Sequence, residues 1–181
     1  MKPSRCGHRG LNSPRAKCGC FMGSTLGILF TWTTYGTWLR GDQRGWVEDG
    51  ITYPADPELR AADRDRMSHP PFCFADEQLL QVGAMIGKSL VERKAVSIVA
   101  LTVQTWHVHL LIEATNHPVE AIVKCGKDAV RWGLRPGRPI WTDGYDKRFC
   151  YDEASLDTRQ AYVEKHNLER GWPAKPWSFV I

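Results

Sequence analysis

From residue 27 onward, apolar positions follow two rhythms, a period of two typical of strands and a three-and-four spacing typical of helices. Gly27-Ile28-Leu29-Phe30-Thr31-Trp32-Thr33-Thr34 is dense in β-branched and aromatic residues and predicts a strand. Leu79, Leu80, Val82, Gly83, Ile86, Leu90 and Val91 recur at helical spacing to about Arg93, with Asp76 as candidate N-cap. A second strand is expected over Lys94 to Leu101 and a third over Val103 to Glu113. The short gap between them predicts a hairpin. Pro118 opens a second helix with Val119, Ile122, Val123, Ala129, Val130 and Trp132 on its apolar side, and Gly133 to Pro139 break it. Pro139 to Tyr151, aromatic-rich around Asp143-Gly144, suits a strand or β-ribbon. A last helix spans about Asp152 to Arg170, stopped by Gly171 with Pro173 beyond. The order β, α, β, β, α, β, α predicts an α+β fold, a ferredoxin-like βαββαβ sandwich with an antiparallel sheet plus a C-terminal helix.

The polar stretches set the boundaries. Residues 1–26 are expected to be a disordered basic tail, 27–172 the domain and 173–181 a C-terminal extension. Inside the domain, the glycines and aromatics of residues 35–46 read as a surface loop. Residues 50–75, with Pro54, Pro57, Pro70, Pro71 and the charged patch Arg60 to Arg66, read as an exposed insertion with room for one short helix.

Composition narrows the class without choosing a function. A chain of 181 residues, 43% hydrophobic and 24% charged, suits one globular domain. Of the net charge of +4, residues 1–26 contribute +5 through Lys2, Arg5, Arg9, Arg15 and Lys17, leaving the body at −1. Bulk charge therefore gives no argument for a nucleic-acid partner, although a local basic groove remains compatible with it. No apolar run reaches a membrane span and no secretory pattern is present, so a cytoplasmic location and reduced cysteines are expected. Cys6, His8, Cys18 and Cys20 cluster in the tail, but their spacing matches none of the usual zinc-ligand spacings.

Two places carry candidate chemistry. His107 and His109 flank Val108 in a strand pattern, so both imidazoles project to one face while Trp106, Val108, Leu110 and Ile112 turn to the core. Two imidazoles on one face form a half-site for a divalent metal, though an isolated His-x-His is more often two ordinary strand histidines. In the last helix Tyr162 and His166 are four apart and share a face. If that helix crosses the open face of the sheet, Tyr162 reaches a metal held by His107 and His109, with His166 as third ligand. Lys124, Lys127 and Arg131 share a helix face and read as solvated.

These residues carry a family resemblance. Trp106-His107-Val108-His109-Leu110-Leu111-Ile112 resembles the His-hydrophobic-His motif of the HUH superfamily of single-strand DNA endonucleases. Tyr162 to Trp172 resembles the nucleophile helix of its single-tyrosine transposases, among them the REP-associated tyrosine transposases. Phe30 to Leu39 and Gly41 to Trp46 resemble the first strand and following loop of such proteins. The resemblance spans about residues 27–172. It implies that His107 and His109 hold Mg²⁺ or Mn²⁺ at the scissile phosphate. It further implies that Tyr162 is the catalytic nucleophile, leaving a 5′-phosphotyrosine and a free 3′-OH. The substrate would be single-stranded or hairpin DNA and the assembly a homodimer, with Arg40 and Arg44 of the loop as candidate DNA contacts.

This chain departs from the pattern at His166, where the family more often has Gln or Asn. Three histidines make a softer site that would favour Mn²⁺ or accept Zn²⁺. Asn167 and Glu113 are alternative ligands, and Tyr145 and Tyr151 are rival nucleophiles that share no helical face with a metal-type side chain. Two other readings are a domesticated hairpin-binding protein without turnover, and a metal-dependent nuclease in which Tyr162 is structural.

Overall fold

The computed structural model describes residues 24–48 and 51–181, so the cysteines and histidine of the basic tail lie outside the described residues. In chain order the elements are β1 (Gly27–Thr33), β2 (Trp46–Glu48), β3 (Ile51–Tyr53), α1 (Pro57–Asp65), α2 (Leu79–Lys94), β4 (Ile98–Val103), β5 (His107–Glu113), α3 (Val119–Leu134), β6 (Asp146–Cys150) and α4 (Glu153–Glu169). Four strands form one antiparallel sheet in the order β4-β5-β1-β6. Taken without the small β2-β3 hairpin and α1, this is the expected βαββαβ arrangement, with α4 added after it.

The strand alternation sorts side chains to two faces. Ile28, Phe30, Trp32, Leu101, Val103, Val108, Leu110 and Ile112 meet Val82, Ile86, Leu90, Ile122, Val123 and Val130 of α2 and α3 in the main core. On the opposite face Leu29, Val99, Ala100, Leu111 and Cys150 pack with Val163 and Leu156 of α4. Strict alternation would send Val99 and Ala100 to opposite faces. A register shift between Ile98 and Ala100 keeps both under α4, as a β-bulge does. Truncating Ile86, fully buried at the α2–sheet contact, to alanine would cost about 2–5 kcal/mol.

Several sequence expectations shift in detail. Asp76 does not cap α2. It lies in a 3-10 turn, Asp76–Gln78, that runs into the helix, and the backbone N–H of Ala75 donates to Gln78 Oε1. Asp152 does cap α4, accepting from the backbone N–H of Ser155. Trp106 stops short of β5 and is only half-buried, outside the core. Trp132 is 62% exposed, with the Arg131 guanidinium over its ring. Lys127 is not solvated with its neighbours: Nζ donates to the carbonyls of Thr142 and Gly144, and burial lowers its pKa.

Two segments hold more structure than their composition suggests. The insertion contains β3, which pairs with β2 from the end of the preceding loop and stacks Tyr53 on Trp46, and α1, capped by Asp56. The C-terminal residues are part of the core: Trp177 and Val180 are buried, and Ile181 N–H donates to the Ile98 carbonyl along the edge of β4. Gly83 and Gly87 make room for this segment. A Cβ on either would run into the rings of Trp177 and Phe179 respectively.

Candidate active site

The period of β5 aims His107 and His109 at the face that α4 covers, and the sheet register decides what stands beside them. Thr31 of β1 pairs with His109 on one side and Thr102 of β4 on the other, while Thr33 pairs with His107. Thr31 Oγ1 lies 2.7 Å from His109 Nδ1. With the proton on Nδ1, that nitrogen donates to Thr31, and the lone pair on Nε2 faces α4.

α4 is held in a definite rotation over this face. Val163 is buried against the sheet, and Asn167, fully buried, donates from Nδ2 to the carbonyls of Leu101 and Ala174. One residue past the helix, Arg170 donates to Gln104 Oε1 and Asp76 Oδ1. Anchored so, α4 turns Tyr162 and His166 toward β5. Tyr162 Oη is 3.3 Å from His109 Nε2, and the hydroxyl donates when that nitrogen carries the lone pair. The His166 ring stacks on His109 at 5.3 Å between centroids and stands edge-on to His107 at 5.9 Å.

One ligand nitrogen from each of His107, His109 and His166 lies within 4.8 Å of the others. Burial holds His107 down to about 4, with the charges of His166, Arg44 and Arg170 adding to the effect. Burial, followed by the two neighbouring histidines, holds His109 down to about 3. His166 is also lowered, by burial first. All three rings are therefore neutral near pH 7 and offer lone pairs, the form a metal needs. His107 Nδ1 and His166 Nε2 are buried with no hydrogen-bond partner among the described residues, an arrangement that normally costs about 1–3 kcal/mol per group. The donor set thus fits a divalent ion.

The other candidates lie elsewhere. Asn167 is committed to backbone carbonyls, so His166, not Asn167, faces the cluster. Glu113 is four residues further along β5 than His109, about 13 Å away at strand rise, and exposed. Tyr145 packs on Phe30 on the opposite side of the sheet and donates to Glu120, while Tyr151 is exposed beside Phe149. Arg40 is engaged by Asp63 through two short hydrogen bonds and lies near Glu48. Arg44 is held by the buried Asp42, and its guanidinium lies over both Trp38 and Trp106, the latter in contact with His107.

No protein-family profile and no curated protein matches the sequence. Solved structures do resemble it. A REP-associated tyrosine transposase, determined bound to a REP hairpin, superposes over 86% of this chain and 75% of its own with a TM-score of 0.51 at 11% identity. The likeness is one of fold. A Deinococcus radiodurans protein provisionally assigned as a transposase aligns over 91% of this chain and 97% of its own at 18% identity, but its TM-score of 0.41 is too low to bear on the fold.

Sequence reasoning brought His107, His109, Tyr162 and His166 together and missed Thr31, Gln104 and Arg170. Thr31 was detectable in principle, since an antiparallel pairing of β1 with β5 sets some residue of β1 opposite His109. Only the register says which one. Among the described residues no helix is long and apolar enough to cross a membrane.

Proposed function

We propose that this chain is a single-tyrosine HUH transposase, a metal-dependent endonuclease that cuts single-stranded DNA beside hairpins and rejoins it through a covalent 5′-phosphotyrosine. The observation that carries the reading is the placement of Tyr162 Oη 3.3 Å from His109 Nε2 at the edge of a three-histidine cluster. The likeness to a structure holding a REP hairpin supports hairpin DNA as partner.

In this reading Tyr162 Oη attacks the scissile phosphorus. The P–Oη bond forms as the P–O3′ bond breaks, the phenol proton passes to water reaching the half-exposed side chain, and the departing 3′ oxygen takes up a proton. Reversal by another 3′-OH rejoins the strand with no bond energy lost to hydrolysis. A divalent ion, Mg²⁺ or Mn²⁺, held by His107, His109 and His166 would polarise the phosphate and offset its charge. Three imidazoles favour Mn²⁺ over Mg²⁺ in this choice. Thr31 fixes the His109 ring, and Asn167 fixes the helix that carries the nucleophile. Arg40 and Arg44 remain the loop's DNA contacts in this reading, Arg44 the nearer to the histidines. A homodimer, the assembly the resemblance implies, belongs to the proposal, although Tyr162 faces histidines of its own chain and needs no partner residue.

Incubation of the protein with hairpin DNA carrying single-stranded flanks and Mn²⁺, resolved on a denaturing gel, tests this. A protein–DNA adduct lost in Tyr162→Phe is expected. Cleavage that survives the substitution would favour the nuclease with a structural tyrosine, and hairpin binding without cleavage under any metal would favour the domesticated binder.

A further inference from the structure

The loop between β1 and β2 does more than connect them. Its Asp42 is 1% exposed, an uncommon place for a carboxylate, and it accepts from Arg44 Nε, Nη2 and backbone N–H, with Arg60 at 3.7 Å. Arg44 Nη2 also donates to the Thr37 carbonyl. These bonds fix the guanidinium carbon 4.7 Å from the Trp38 ring centroid and 4.6 Å from that of Trp106. Trp106 in turn lies 4.0 Å, centroid to centroid, from His107. The backbone locks the group in place: Trp38 Nε1 donates to the Gly45 carbonyl, and the Trp106 carbonyl accepts from Thr34 N–H.

Such a group is prebuilt yet open. Trp38 keeps 36% of its surface exposed and the Arg44 side chain 39%, and Arg44 Nη1 has no hydrogen-bond partner among the described residues. Arg170 is held by Gln104 and Asp76, and its charge, like that of Arg44, bears on His107. A carboxylate that meets a guanidinium through two of its nitrogens fixes the orientation of the group as well as its position. Here it holds a part-exposed guanidinium between the part-exposed Trp38 and the Trp106 ring that touches His107.

We infer that Trp38, Arg44 and Trp106 form a stacking subsite for one unpaired nucleotide next to the phosphate at the histidine cluster, with Arg44 and Arg170 contacting the flanking phosphates. An indole face and a free guanidinium edge suit a splayed base and its phosphate, which a paired base inside a duplex cannot present. The subsite rests on the transposase reading only for its place in the reaction. Single-strand binding is independent of it.

The test is equilibrium binding of labelled oligo-dT and of a blunt duplex of equal length to the full chain in EDTA, so that no cleavage intervenes. Wild type is expected to prefer the single strand. Trp38→Ala should weaken oligo-dT binding about 5- to 150-fold, the range for loss of one base–aromatic stack, and leave duplex binding within about 2-fold. Trp38→Phe should retain most of the affinity, and Arg44→Lys, which keeps the charge but loses the planar edge, should fall between them. Equal oligo-dT affinity for wild type and a Trp38→Ala protein with unchanged circular dichroism would overturn the subsite, even if the adduct with Tyr162 forms. Trp38-dependent binding by a protein that never forms an adduct would leave the subsite standing and remove the transposase reading.

Discussion

Tyr162 and His109 stand 53 positions apart in sequence, on a helix and a strand, and their polar atoms are 3.3 Å apart. Two independent anchors produce that distance. Asn167 ties α4 to the backbone of β4, and Thr31 orients the imidazole from the neighbouring strand. Each anchor can be removed separately.

Thr31→Val keeps the side-chain shape and deletes the partner of His109 Nδ1. The expected result is about 10- to 100-fold weaker Mn²⁺ binding by titration calorimetry. Stability without metal should fall by only about 1 kcal/mol, the net worth of one such hydrogen bond. Unchanged Mn²⁺ affinity would place the ion, if one binds, away from His109.

Asn167→Ala leaves the carbonyls of Leu101 and Ala174 without their donor in a fully buried place. Chemical denaturation should show a loss of about 2–4 kcal/mol. Activity lost at temperatures where the variant remains folded would mark the residue as a positioning group for Tyr162, separable from its part in stability.

The buried histidines set an acid dependence whose sign follows from their lowered pKa values. His107 at about 4 and His109 at about 3 bind protons less readily when folded than at the unfolded value of about 6.5. Between those limits the unfolded chain takes up more protons, so stability falls as pH drops below about 6.5 and is flat above about 7.5. Arg44 and Arg170 are the cationic side chains that bear on His107, and among the described residues the side chains of Tyr162 and His166 also face the pair. At about pH 5 each of the two histidines should lower stability by about 2 kcal/mol in EDTA. Thermal melts at about pH 7.5 and pH 5 check this, and equal midpoints would contradict the burial of the pair.

Gly87→Ala places a methyl group against the Phe179 ring, where the C-terminal segment docks. A loss of about 1–3 kcal/mol is expected by thermal or urea unfolding. A neutral result would mean that the segment after Gly171 contributes little to the core despite the burial of Trp177 and Val180.

The parts of the site legible in the sequence were those with a local period. His107 and His109 share a face because a strand repeats every two residues, and Tyr162 and His166 because a helix returns after four. Element order sufficed for the sheet topology. Thr31 was hidden because its place depends on a register between strands 78 residues apart, and the shift at Val99 is likewise a property of pairing. Trp106 fits the core alternation but falls just before the strand begins, where the turn redirects it to Arg44 and His107. Arg40 and Arg44 look alike in a glycine-rich loop. Only the carboxylates brought in by α1 and the loop turn distinguish an arginine paired to Asp63 from one held beside the histidines.

The central claim concerns which atom takes the DNA, and peptide mapping answers it directly. The protein is incubated with flanked hairpin DNA and Mn²⁺, quenched with EDTA, digested with protease and nuclease, and examined by mass spectrometry. The account predicts a nucleotide linked through its 5′-phosphate to the peptide containing Tyr162, and none when EDTA precedes the DNA. Cleaved DNA with a free 5′-phosphate and an unmodified Tyr162 peptide, or a nucleotide on Tyr145 or Tyr151, would contradict it.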